Sequence, residues 1–174
     1  MPILLSLLAA ISAAAFFVIR ARNAAGAAQD LFDVANDVRL AARRFGFRRR
    51  QNQHAVDCLD DQGTAIAAMG LAFIELGGMA TQEQKSTLDI SLRKHLSLDA
   101  TTAEECMVLG HWLNTECGTT SAAFTRMGKR LYSIGGVQAV QPLLAVLNDA
   151  TPTDGAMRPQ QSEAIHEVKR IFRL

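Results

Sequence analysis

An all-α fold, with one membrane-spanning helix ahead of a compact multi-helix bundle, is what this 174-residue chain predicts. Three observations predict it. Ile3 to Ile19 is an apolar run without a single charge. From Asp60 onward apolar residues recur every three or four positions, and no stretch alternates with period two. Helix starts and stops are marked by capping sequences and by glycines. The length suits one domain and a little extra, and three cysteines are too few for a disulfide scaffold. The near-neutral net charge of +1 hides a division, because Arg20 to Arg50 carries eight arginines against three aspartates.

The seventeen residues Ile3 to Ile19 span roughly 26 Å as a helix, slightly less than a hydrocarbon core of ~30 Å. Arg20 and Arg22 can snorkel, so a helix to residue 22 closes the gap. No Lys or Arg precedes the run, so it lacks the basic start of a secretory signal peptide and reads as a retained anchor. With the arginines all on its C-terminal flank, that flank is expected in the cytoplasm and the N-terminus outside, in a bacterial inner membrane. Residues 1–22 are the expected anchor, 23–59 a basic, partly helical juxtamembrane linker, and 60–174 the helical domain.

In the linker, Asp30, Asp33 and Asp37 come early and the arginines late, which complements a helix dipole; the helix should unravel at Gly46. Arg43, Arg44, Arg48, Arg49 and Arg50, with Arg20 and Arg22, are the candidate contacts to the membrane surface. Phe45 and Phe47 among them allow a base-stacking alternative, although nucleic acid is not an expected partner. A third reading is a solvated charge run that only sets topology.

The first helix of the domain should bury Ile66, Met69, Phe73 and Leu76 and end at Gly77-Gly78. Thr81-Gln82-Glu83-Gln84 forms a capping box for the second, with Leu88, Leu92 and Leu96 inward. Thr102-Ala103-Glu104-Glu105 is expected to open the third, whose stripe is Cys106, Leu109, Leu113 and Cys117. The fourth runs from about Thr119 to Gly135-Gly136 with Phe124, Met127 and Leu131 inward. The fifth carries Val137, Val140, Leu144 and Leu147, with Pro142 either kinking it or delaying its start. After a loop at Thr151-Pro-Thr-Asp-Gly, Pro159 suits the first turn of a last helix with Ile165, Val168 and Phe172 inward.

Chemistry-bearing motifs are scarce. Cys106 and Cys117 should lie roughly 16 Å apart along one helix, too far to bond, and no CxxC or HExxH occurs. His111 beside Trp112 reads as a partly buried amphipathic side chain. Gly128-Lys129 is no P-loop, because position 123 is Ala and position 130 is Arg. Neither enzymatic activity nor a cofactor is expected.

One internal echo stands out. Leu76 to Gln84 and Thr153 to Gln161 each end a helix, turn at a glycine, and start a new helix with Gln six residues past that glycine. On these two units the chain resembles the tellurite-resistance TerB-like family of all-helical domains over about residues 60 to 174. The resemblance implies two helix–loop–helix units whose Asp-Gly turns and following Glu residues converge on a divalent metal. The corresponding positions here are Gly77, Gln84, Asp154 and Gln161, of which only Asp154 keeps the acid; Asp149 and Glu83 are the other acids around which a site could be rebuilt. An anchor followed by a TerB-like domain is also similar in order to membrane-anchored DnaJ-type co-chaperones, but the chain has no His-Pro-Asp, so that activity does not carry over. The expected function is a non-enzymatic, membrane-anchored interaction module, an accessory or assembly subunit of a membrane protein complex or a stress-response adaptor. The lipid bilayer and a membrane protein are its expected partners. A divalent-metal-responsive sensor with a degenerate site is the alternative.

Overall fold

Eleven consecutive residues, Thr64 to Ile74, are buried, although a helix on a domain surface would bury only one stripe. They form most of α2 (Gln62–Leu76), around which the other helices pack. The computed structural model describes residues 36–47, 52–151 and 157–174. The expected anchor at 3–19, Arg20, Arg22, Arg48, Arg49, Arg50 and Asp154 therefore lie outside the described residues. Among the described residues every regular element is helical, and no helix is long and apolar enough to cross a membrane.

Besides α2 the elements are α1, described over 36–44, α3 (Gln82–Leu96), α4 (Ala100–Thr115), α5 (Thr120–Gly135), α6 (Val140–Asp149) and α7 (Pro159–Phe172). Short 3-10 turns precede α2 (Ala55–Cys58) and α6 (Gly136–Ala139). The chain divides into two compact units, Met1–Asp37 and Val38–Leu174. Only residues 36 and 37 of the first are described.

α2 can occupy the centre because its side chains are small where neighbours come closest. Ala67, Ala68, Gly70 and Ala72 stand among Ile66, Met69, Leu71 and Phe73. A Cβ on Gly110 of α4 would lie 2.9 Å from the Ala68 backbone nitrogen and 3.0 Å from its Cα, so the two backbones nearly touch. One turn along α4, Asn114 Nδ2 donates to the Ala68 carbonyl at 2.8 Å. Its partners α3, α4, α5, α6 and α7 all contact α2, and Leu88, Leu109, Met127, Leu143 and Val168 supply a fully buried residue from each.

Residues read from the sequence as linker belong to this core. Ala41 from α1 and Ala55, Val56 and Leu59 from the segment before α2 are buried. The packed unit thus begins at Val38, ahead of the expected boundary at residue 60. α1 ends where Gly46 takes φ 63°, the left-handed region that glycine enters without a Cβ clash. The Phe47 N–H then reaches the Ala42 carbonyl at 2.8 Å and the Gly46 N–H the Arg43 carbonyl at 3.2 Å, a Schellman closure.

Three element boundaries differ from the expected ones. α4 starts at Ala100, because Asp99 rather than Thr102 is the cap and accepts the Thr102 N–H at 2.8 Å. Cys117 therefore falls beyond the end of α4. Val137 lies in the 3-10 turn and is 53% exposed, whereas Leu143 is fully buried. Pro142 occupies the third position of α6, where no intrahelical bond needs its missing N–H, so the helix starts later than Val137.

Candidate functional site

The end of α2 meets the start of α7. Gly77 follows α2, and a Cβ there would lie 2.7 Å from Gln161 Nε2 and 3.0 Å from its Cδ, so glycine makes room for a glutamine arriving from α7. Gln161 is 1% exposed. Its Nε2 donates to the Phe73 carbonyl at 3.1 Å, and its Oε1 accepts the Arg158 N–H at 3.1 Å. That arrangement fixes the amide orientation, since either atom reversed would face a like partner. On α3, Gln84 Oε1 accepts the Thr81 N–H at 2.9 Å while Thr81 Oγ1 accepts the Gln84 N–H at 3.2 Å. The echo is thus a repeated helix start: each glutamine is the third residue of its helix and folds back onto the backbone of its N-cap.

This geometry does not suit the metal ligation implied by the resemblance. Gly77 brings no side chain. The carbonyl oxygens of Gln84 and Gln161 each accept a backbone N–H, and that of Gln161 sits in the core. Asp154 is outside the described residues, among which no group of three or more His, Cys, Asp or Glu is placed to hold an ion.

The junction has another property at its surface. Met79, just past α2, is 96% exposed, and Met157, just before α7, is 44% exposed. The Arg158 guanidinium lies 4.0 Å from where a Cβ on Gly78 would be, so the start of α7 reaches the glycine pair after α2. Methionine and arginine are side chains favoured at protein contacts.

A second polar centre joins α3 to the end of α6. Asp149 Oδ2 accepts from His95 Nε2 at 2.9 Å and from Ser91 Oγ at 3.1 Å, with Lys94 Nζ at 3.5 Å. The His95 hydrogen bond, aided by that of Ser91, holds the Asp149 carboxyl below the ordinary carboxylate range against the opposing effect of burial. Ser, His and Asp do not form a nucleophilic triad here. The carboxylate stands between the other two, whereas activating a serine requires the imidazole in the middle. The sequence reading named Asp149 only as a possible metal ligand; Ser91, Lys94 and His95 at three- and four-residue spacing on α3 were the available signal.

The basic segment is partly engaged within the protein. Arg44 Nη1 lies 3.0 Å from Glu105 Oε2, and its Nη2 donates to Thr102 Oγ1 at 3.1 Å, so this guanidinium faces α4. Arg43 is exposed. Phe47 packs edge-on against Trp112 with ring centroids 5.7 Å apart, and Phe45 packs, partly buried, on the core.

Two arginines of α5 clamp the segment before α2. Arg126 grips Asp57 with Nη2 at 2.6 Å and Nε at 3.3 Å. Arg130 donates Nε to the Leu59 carbonyl at 2.5 Å and Nη2 to Asp60 at 2.6 Å. In the same segment His54 Nδ1 accepts the Val56 N–H at 3.3 Å, which puts the ring proton on Nε2, facing the Glu116 carbonyl at 3.1 Å. Burial pushes the Cys106 thiol up to about 12, so it is a poor nucleophile. No protein-family model matches this chain, and no curated protein or solved structure is detectably similar to it.

Proposed function

We propose that this protein is a non-enzymatic, membrane-anchored interaction module of TerB-like type, serving a bacterial inner-membrane complex as an accessory or assembly subunit, or acting as a stress-response adaptor. The single observation that carries the interaction role is the exposure of two methionines flanking the junction of α2 and α7. Met79 stands exposed just after α2 and Met157 just before α7, two elements that Gln161 joins at Gly77 and the Phe73 carbonyl. A rigid base under adaptable apolar tips lowers the entropy lost on docking. The anchor reading is supported by the uncharged run Ile3 to Ile19 and the arginines after it. Confinement to the bilayer raises the effective concentration of such a surface against a membrane partner.

The test is affinity capture of the full-length protein, tagged at its C-terminus and gently solubilised from its native membrane. The comparisons are a form lacking residues 1–22 and the double variant Met79→Glu, Met157→Glu. A stoichiometric membrane protein captured by the full-length form and lost from both comparisons is the expected result. Capture that survives in the Met79→Glu, Met157→Glu variant would refute the docking surface. A full-length protein that alkaline carbonate strips from membranes would refute the anchor.

A further inference from the structure

The outer face of α5 carries an open groove of about 830 Å³, bordered by Asp57. Its lining falls at 122, 125, 126, 129, 130 and 133, one continuous stripe along the helix opposite buried Phe124, Met127 and Leu131. α5 contains no acidic residue. We propose that this groove binds a soluble phosphate-bearing anion, a phosphate ester or a diphosphate.

Four features argue for this ligand class. Among the described residues Arg126 and Arg130 pair with two carboxylates, Asp57 and Asp60, while Lys129 adds a third cation, so positive charge is in excess there. Each arginine uses Nε and one terminal nitrogen on its protein partner, which immobilises the guanidinium while leaving Nη1 to donate elsewhere. A planar fork held in place in this way suits phosphate oxygens at small entropic cost. Lys129 is exposed and pairs with no carboxylate among the described residues. The remaining polar lining is hydroxyl, from Ser121, Thr125 and Ser133 among others, which can donate to the same oxygens. A cationic ligand would find a single carboxylate in this lining, Asp57, already engaged by Arg126. The proposal is independent of the anchor and of the methionine surface.

Inorganic pyrophosphate titrated into the full chain in a neutral detergent, followed by phosphorus NMR, tests it. Saturable binding at millimolar concentration or tighter is expected, weakening at higher salt. Lys129→Gln should weaken it about tenfold, as the loss of one charge-assisted contact would. Lys169→Gln, which removes an exposed cation of α7 outside the groove, should leave it unchanged. Absence of saturable binding, or equal weakening in the two variants, would overturn the proposal. A short-chain phosphatidic acid that binds where pyrophosphate does not would overturn it in favour of a lipid headgroup site.

Discussion

The same substitution, glycine to alanine inside a helix, should have opposite consequences at Gly110 and Gly128. Both glycines lie within buried helix interiors, where alanine is intrinsically favoured by about 1 kcal/mol. At Gly110 the new Cβ meets backbone: Ala68 nitrogen at 2.9 Å, Cα at 3.0 Å and Cβ at 3.1 Å. Ordinary contact needs several tenths of an ångström more, and no rotamer can supply it, so α4 must move off α2. Overpacking of that kind costs about 1–3 kcal/mol. The same movement lengthens the 2.8 Å bond from Asn114 to the Ala68 carbonyl, and losing it costs about 1 kcal/mol more. Set against the gain in propensity, Gly110→Ala should be destabilising by about 1–3 kcal/mol. At Gly128 the Cβ meets only the tips of flexible side chains, Ile171 Cδ1 at 2.9 Å and Met69 Cε at 3.3 Å. Those tips can rotate away, so Gly128→Ala should fall within about 0.5 kcal/mol of wild type or be slightly stabilised. Thermal unfolding of the full chain in mild detergent, read by far-UV circular dichroism, separates the cases. A shift of roughly 3–10 °C is expected for Gly110→Ala and almost none for Gly128→Ala. Equal shifts for the two would show that backbone proximity to α2 does not set the tolerance.

Other expectations follow from the polar contacts. Gln161→Leu leaves the Phe73 carbonyl and the Arg158 N–H without their partner and should cost about 2–3 kcal/mol. Gln161→Glu should be worse at neutral pH than in mild acid, because burial raises the pKa of a core carboxyl and only its protonated form can donate to Phe73; a melting temperature that rises steadily with pH would contradict this. Asp149→Asn should destabilise by about 1–2 kcal/mol at pH 7. Asp149 has a depressed folded-state pKa, so its contribution is present above the unfolded value of about 3.9 and is lost as pH falls through the folded value; the variant and wild type should converge in urea titrations run in that acid range. Cys106 should resist thiol-specific labelling in the native protein at pH 8 and react only on unfolding; rapid native labelling at this residue, located by mass spectrometry, would contradict the buried thiol.

Local signals decided a large part of this fold. The helical period, the Thr81–Gln84 capping box, the glycine stops and Pro159 at a first turn all act within a few residues, and the structure repeats each one. Helices α3, α5 and α7 bury residues expected of them, Leu88 and Leu92, Phe124 and Met127, Val168 and Phe172, because a helix with one apolar stripe has one way to face a core. The centre of the bundle was not legible in this way. An Ala-rich helix apolar on all sides has no stripe, and reading Ile66, Met69, Phe73 and Leu76 as its inner face missed that α2 is enclosed.

The boundary of the domain was hidden for a related reason. Ala41 is small and stands in a basic stretch, Ala55 and Val56 stand in a short polar one, and only packing against distant helices makes them core. The candidate sites divide along the same line. The echo was visible in sequence, yet only the folded chain puts Gln161 against Gly77 and turns an apparent ligand position into a helix cap. Asp149 meets Ser91 and His95 across more than fifty residues, as Arg44 meets Glu105 across a similar span. Periodicity and capping are interactions between near neighbours and are written in order along the chain. Which buried polar groups satisfy one another depends on how whole helices are arranged around α2, and that is settled by packing alone.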